Sequence, residues 1–254
     1  MKKILVPSLI AMAVSALASV AQAQTAPAEP ESTLSYNVGA VTEYRYRGIS
    51  QSGKKPAVQF GADFVSKSGF YVGGWASTIT WIRDSTKPST TKGPLEVDIY
   101  GGYKFEAAGL AYDVGYLRYE YVGNTYDKIG VNANTDEVYG AVTAGPATLK
   151  YSYAFSDLFG NKDSKGSTYW DLSATFDLGQ GYSIVPHAGH QTVKNNANSY
   201  TDIALTLNKD FGEGLVGSVS AISTNGKADV FTPISTSGYN SAKSIVVVGV
   251  KYSF

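Results

Sequence analysis

Twelve stretches of this sequence alternate apolar and polar residues with a period of two, and the connections between them alternate strictly between short and long. No other feature narrows the possible folds as far. A repeat of two is the side-chain period of a β-strand. The spacing predicts strands over 34–46, 58–64, 70–81, 95–105, 110–121, 137–144, 147–155, 168–178, 182–193, 200–211, 215–223 and 244–254. Five tight turns and six longer polar loops join them. An even strand count with short turns at one end and long loops at the other is the pattern of an antiparallel up-and-down transmembrane β-barrel, with both termini on the periplasmic side. A two-sheet sandwich has no reason to keep that order. Its strands also run about 5–6 residues, whereas the first stretch here alternates over thirteen.

The last eleven residues, SIVVVGVKYSF, carry the clearest faces. Val246, Val248, Val250, Tyr252 and Phe254 fall on one side, expected to face lipid. Ile245, Val247, Gly249, Lys251 and Ser253 fall on the other. Aromatic residues are expected to gather in two interface bands. Tyr44, Tyr46, Trp81, Tyr121, Phe155, Trp170 and Tyr200 lie near loop ends, and Phe64, Phe70, Phe105, Tyr182, Phe211 and Phe254 near turn ends. The third stretch has aromatics on both faces, so its orientation is open.

Residues 1–23 read as a cleaved export signal: Lys2 and Lys3, an apolar Ala-rich run, then Ala21-Gln22-Ala23. Residues 24–33, QTAPAEPEST, form a Pro-containing lead-in, and 34–254 the barrel. Beyond residue 23 no apolar run reaches the ~20 residues of a membrane helix, so any membrane crossing must be a closed barrel, because lipid cannot satisfy an open sheet edge. Without Lys2 and Lys3, the 21 basic residues fall to 19 against 21 acidic, a net of −2 that argues against a nucleic-acid partner. The chain has no cysteine, which removes disulfides, Cys-based metal sites and a lipoprotein anchor.

The polar faces supply the pore-lining candidates. Alternation points Glu43, Asp63, Glu96, Asp98, Asp113, Glu137, Asp171, Asp177 and Asp202 inward, with the bases Arg45, Arg47, Lys104, Lys150 and Lys251. Nine carboxylates against five bases imply a weak preference for cations or neutral polar solutes. Arg45 and Arg47 are expected to form a basic patch at the constriction. Twelve strands make a bore narrower than the ~16–18 strands of open porins, so a lumen plugged by the 82–94 or 224–243 loop is a competing expectation.

No enzyme, cofactor or metal is expected. The histidines are His187 and His190. One twelve-stranded outer-membrane family is a phospholipase with a lipid-facing His and a Ser two residues on. Here His190 falls on the outer face, but Thr192 stands at that offset, and no nucleophile–base–orienter set is visible. The run NKDSKG at 161–166 fails as a calcium loop, with Lys165 at a ligand position and Leu172 in place of the closing Glu. The glycines at 179–181 and 212–214 are turn residues rather than a phosphate cradle.

The stretch YRYRGISQS (44–52), followed by PAVQ (56–59) and SGFYVGGW (68–75), with EVDIYGGY (96–103) and YDVGY (112–116), resembles the TorF-type porin family of proteobacterial outer-membrane proteins. The resemblance is densest over 44–115 and implies a fold and a location more than a solute. The expected function is passive diffusion of small hydrophilic solutes across the outer membrane. The expected partners are outer-membrane lipid and the barrel insertion machinery, the latter through the strand ending in Phe254. Two alternatives stand: a non-conducting barrel whose surface loops bind a partner, and a soluble periplasmic barrel with apolar faces turned inward.

Overall fold

The computed structural model of the chain describes residues 32–86, 90–231 and 239–254. The signal over 1–23, most of the lead-in, and parts of the 82–94 and 224–243 loops lie outside them. The barrel strands are β1 (Thr33–Val41), β2 (Ala57–Val65), β3 (Phe70–Thr78), β4 (Leu95–Ala107), β5 (Leu110–Val122) and β6 (Thr135–Ala144). They continue as β7 (Ala147–Ala154), β8 (Thr168–Ala174, resuming as Phe176–Gly179), β9 (Tyr182–Thr192), β10 (Tyr200–Gly212), β11 (Leu215–Thr224) and β12 (Ile245–Ser253).

Each strand pairs antiparallel with the next. β12 then returns to β1, with Asn37 opposite Ser253 and Val41 opposite Gly249, and the sheet closes. The seal extends past the last strand residue: Tyr36 and Phe254 exchange backbone hydrogen bonds of 2.8 and 3.0 Å, and their rings stack at 5.8 Å. Closure leaves no unpaired edge, the condition lipid imposes.

The faces follow the alternation. Val246, Val248, Val250, Tyr252 and Phe254 all point out of the barrel, while Val247 between them is 5 % exposed. The turn-end aromatics Phe64, Phe70, Phe105, Tyr182, Phe211 and Phe254 face outward, as do Phe155 and Trp170 near the loops. The apolar outer face rules out the inverted soluble barrel. It also settles β3: Phe70 and Val72 point out, and Tyr71 and Trp75 point into the lumen.

At the turn end the backbone demands glycine in one clear case. Gly69 has φ +98°, and a Cβ there would strike the Lys104 carbonyl oxygen. Its own carbonyl accepts the Lys104 amide at 2.9 Å. Gly69→Ala is therefore expected to cost about 1–3 kcal/mol, read as a shift of the urea midpoint in detergent without change in the folded barrel's gel migration.

Two boundaries differ from the sequence expectation by three residues or more. β1 stops at Val41, Thr42 still bonds to Val248 of β12, and the alternating residues 43–46 leave the wall. β3 stops at Thr78, and Trp81–Asp84 form one helical turn. Residue alternation cannot distinguish a wall strand from an extended segment buried on both sides, because both require side chains that fit their surroundings at every second position.

Candidate functional site: a lumen stoppered by its first loop

Beyond Val41 the chain folds into the barrel instead of rising from it. Arg45–Tyr46 and Ile49–Ser50 pair as a small hairpin, joined by Arg47 and Gly48 at φ 45° and 76°. Positive φ at both central residues is the two-residue type I′ turn, and glycine at its second position meets that demand without strain. Every residue from Glu43 to Gly48 is buried.

The hairpin spans the lumen like a spoke set. Tyr44 donates from its hydroxyl to Glu96 Oε1 on β4 at 3.0 Å. The Tyr46 hydroxyl meets that of Tyr119 on β5. Arg47 grips Glu137 on β6 with both guanidinium ends, at 2.9 and 2.7 Å, and donates to Gln191 Oε1 on β9 at 2.8 Å. Arg45 is held by Glu43 at 3.0 Å and donates to the Gly48 and Ser241 carbonyls. Burial by itself would lower the Arg47 guanidinium, but the adjoining Glu137 carboxylate reverses this and holds it firmly charged. The cation also sits 4.3 Å from the Tyr169 ring centre and 4.9 Å from that of Tyr46.

Arg45 and Arg47 thus lie inside the lumen rather than on a rim strand, and each faces a carboxylate instead of forming a free basic patch. The inserted loop is 42–56. The described parts of the other two loops close over it: the Thr80 and Trp81 amides donate to the Gln51 carbonyl, and the Ser50 amide to that of Ser241. Tyr44, Tyr46, Tyr121 and Tyr200, expected in the outer aromatic band, are buried inside the mouth, where the hydroxyls of Tyr44 and Tyr46 and the rings of Tyr121 and Tyr200 find partners that lipid does not offer. Trp81 packs there too, edge-on to Tyr121.

The other pore-lining candidates separate into levels. Glu96, Asp98, Glu137, Lys150 and Asp202 are buried around the stopper. Glu96 Oε2 and Asp98 Oδ1 have no hydrogen-bond partner among the described residues. Lys150 lies 3.9 Å over the Tyr139 ring. Towards the turn end, Asp63, Lys104, Asp113 and Lys251 are only partly buried and line a more open vestibule. There the Tyr100 hydroxyl donates to Asp63, and Tyr71 donates to Asp113 at 2.6 Å. Asp177 is not among them: it is exposed at the turn, where its carboxylate accepts the Gly179 amide at 2.8 Å.

Sequence reasoning gave His187 no role. The fold places its Nε2 3.1 Å from Asp171 and its Nδ1 3.6 Å from Asp202, which also accepts from the Tyr169 hydroxyl. The signal available was parity, since His187 shares the inward face of β9 with Gln191. His190 is on the outer face as expected, its Nδ1 2.9 Å from the Thr201 hydroxyl.

A closed, twelve-stranded antiparallel barrel with an apolar exterior and a polar, loop-filled interior has the architecture of a membrane-spanning β-barrel. The chain belongs to the Gcw_chp family, described as a bacterial protein of unknown function, whose model matches residues 24–254. No curated protein matches it. Among solved structures it is similar to the KdgM porin in complex with disordered oligogalacturonate, with a TM-score of 0.54 and 10 % identity over 88 % of this chain and 99 % of that one. It is likewise similar to the NanC porin, with a TM-score of 0.54 and 12 % identity over 87 % of this chain and 99 % of the other. At such identities the likeness is one of fold.

Proposed function

We propose that this protein is an outer-membrane channel for small hydrophilic solutes, narrowed by its own first loop. The observation that carries the reading is the 42–56 hairpin inside the lumen, fastened to three wall strands by Tyr44, Tyr46 and Arg47 and to a fourth through Gln191. A barrel of twelve strands with a loop across its bore admits only small solutes. The resemblance of 44–52 to TorF-type porins supports the same reading. The 1–23 signal is the proposed route to the outer membrane, and the strand ending in Phe254 the proposed handle for the insertion machinery.

Of the residues assigned inward, eight acids (all but Asp177) and five bases line the interior. The surplus favours cations and neutral solutes over anions.

The test is planar-bilayer recording of the detergent-purified protein beside a variant lacking 44–52. Small discrete steps in the intact protein, larger steps in the variant and a cation-selective reversal potential are expected. Anion selectivity would overturn the charge argument. Silence from both proteins, each shown folded by heat-modifiable migration, would replace the channel with a non-conducting barrel whose loops bind a partner.

A further inference from the structure

Above the stopper, the loops enclose a cup of about 260 Å³. Its walls are aromatic: Tyr46 from the hairpin, Trp81 from the one-turn helix, Tyr121 and Tyr126 beside β5, Phe159 from the loop after β7, and Tyr200 at the start of β10. Between these rings stand the amides of Gln51, Asn161 and Asn198 and the hydroxyl of Ser50. Among its nineteen described lining residues there is no Asp, Glu, Lys or Arg.

The rings already brace one another, so the walls are set before a guest arrives. Trp81 meets Tyr121 and Tyr126 with ring centres 5.3 Å apart in each case, and Phe159 meets Tyr46 at 5.8 Å. The indole Nε1 of Trp81 is buried with no hydrogen-bond partner among the described residues. Gln51 turns its Nε2 back to the Ile49 carbonyl at 3.1 Å, which commits its amide nitrogen and leaves its side-chain oxygen as the group available to a guest.

We propose that this cup is a binding site for a neutral, single-ring polyhydroxylated solute, a free monosaccharide in the ring form. Three properties select that chemistry. The missing lining charges give a carboxylate, phosphate or ammonium no counter-ion to replace its hydration shell. Aromatic faces suit the C–H face of a sugar ring, and the interleaved amides and hydroxyl suit its edge. A purely apolar guest would leave the Gln51 side-chain oxygen unpaired. The volume falls a little short of the roughly 300 Å³ at which pockets for drug-sized ligands begin, which fits one ring better than a chain of them. The cup lies at the loop mouth, where a solute would be caught before reaching the constriction, and it binds whether or not the lumen conducts.

The experiment is calorimetric titration of the purified protein in detergent with glucose and galactose, set beside galacturonate and an uncharged amino acid. Saturable binding of a neutral sugar is expected, with the sugar acid bound at least about tenfold more weakly, equivalent to about 1.4 kcal/mol. Trp81→Ala removes one wall and is expected to weaken binding by a similar factor. Ile49→Trp fills the cup without deleting any polar group, and is expected to abolish binding while heat-modifiable migration stays normal. The proposal is overturned if no neutral sugar binds the folded protein, if galacturonate binds as well as its neutral counterpart, or if folded Ile49→Trp binds like the parent. None of these outcomes depends on conductance, so a silent channel and an empty cup are separate results.

Discussion

Arg47→Ala is expected to release the inserted hairpin and raise single-channel conductance several-fold. Both side chains of the Arg47–Glu137 pair are 2 % exposed, so solvent does not weaken their attraction. Removing one partner of such a pair costs about 3–5 kcal/mol, because the other is left charged and buried. At 1.4 kcal/mol per tenfold, that moves the docked–undocked equilibrium by about two to three and a half orders of magnitude. The remaining side-chain anchors to the wall strands, Tyr44 to Glu96 and Tyr46 to Tyr119, are hydrogen bonds involving a phenol, each worth about 0.5–3 kcal/mol, and the bonds from the loop to Thr80, Trp81 and Ser241 are to neighbouring loops rather than to the wall. Arg47→Lys keeps the charge but loses the two-pronged grip, and should fall between. Adding Glu137→Gln to Arg47→Ala removes the stranded carboxylate, so barrel stability should recover while the hairpin stays free. Limited proteolysis across 44–52 reports the release independently of current. Unchanged conductance together with a protected hairpin in Arg47→Ala would show that the loop is held by other means.

Leu205→Arg should be the most damaging single change on the outer wall. Leu205 lies near the middle of β10, is 48 % exposed outside the barrel, and faces Pro186 and Ala221 on the adjoining strands. An arginine on the lipid face at mid-membrane costs about 2–4 kcal/mol. Its neighbour Thr206 points inward and shares a 2.8 Å hydrogen bond with Ser220. Thr206→Val should cost less, about 1–3 kcal/mol for the Ser220 hydroxyl left unpaired. Urea unfolding of the two variants in lipid vesicles separates them. The comparison tests the assigned faces directly, since a one-residue slip in β10 would invert the order of the two effects.

The wall of the barrel was legible because lipid and lumen impose opposite demands at alternate residues. Val246 to Phe254 shows this plainly, as does β4, where Glu96, Asp98 and Tyr100 turn inward and Val97 and Ile99 outward. Alternating connection lengths then gave the strand count and the two ends. Inside the mouth the same logic failed. Tyr44, Tyr46, Tyr121, Tyr200 and Trp81 carry the residue types of an interface belt, and composition cannot say whether an amphipathic ring meets a lipid headgroup or another tyrosine. The dipeptide Arg47-Gly48, just past the end of the expected first strand, was the local sign of a tight turn. Its meaning depends on Glu137 and Gln191, 90 and 144 residues away in sequence.

By itself, then, the sequence determined the twelve strands, the faces of all but the third, and the end at which the long loops lie, because these follow from a local period and from the need to close every sheet edge. Only the tertiary structure decided which loop enters the bore, which carboxylate neutralises which arginine, and that an uncharged aromatic cup sits over the closure. Those outcomes rest on pairings across the lumen between residues far apart in the chain. Nothing in the local pattern around Arg47 marks Glu137, rather than one of the other inward carboxylates, as its partner.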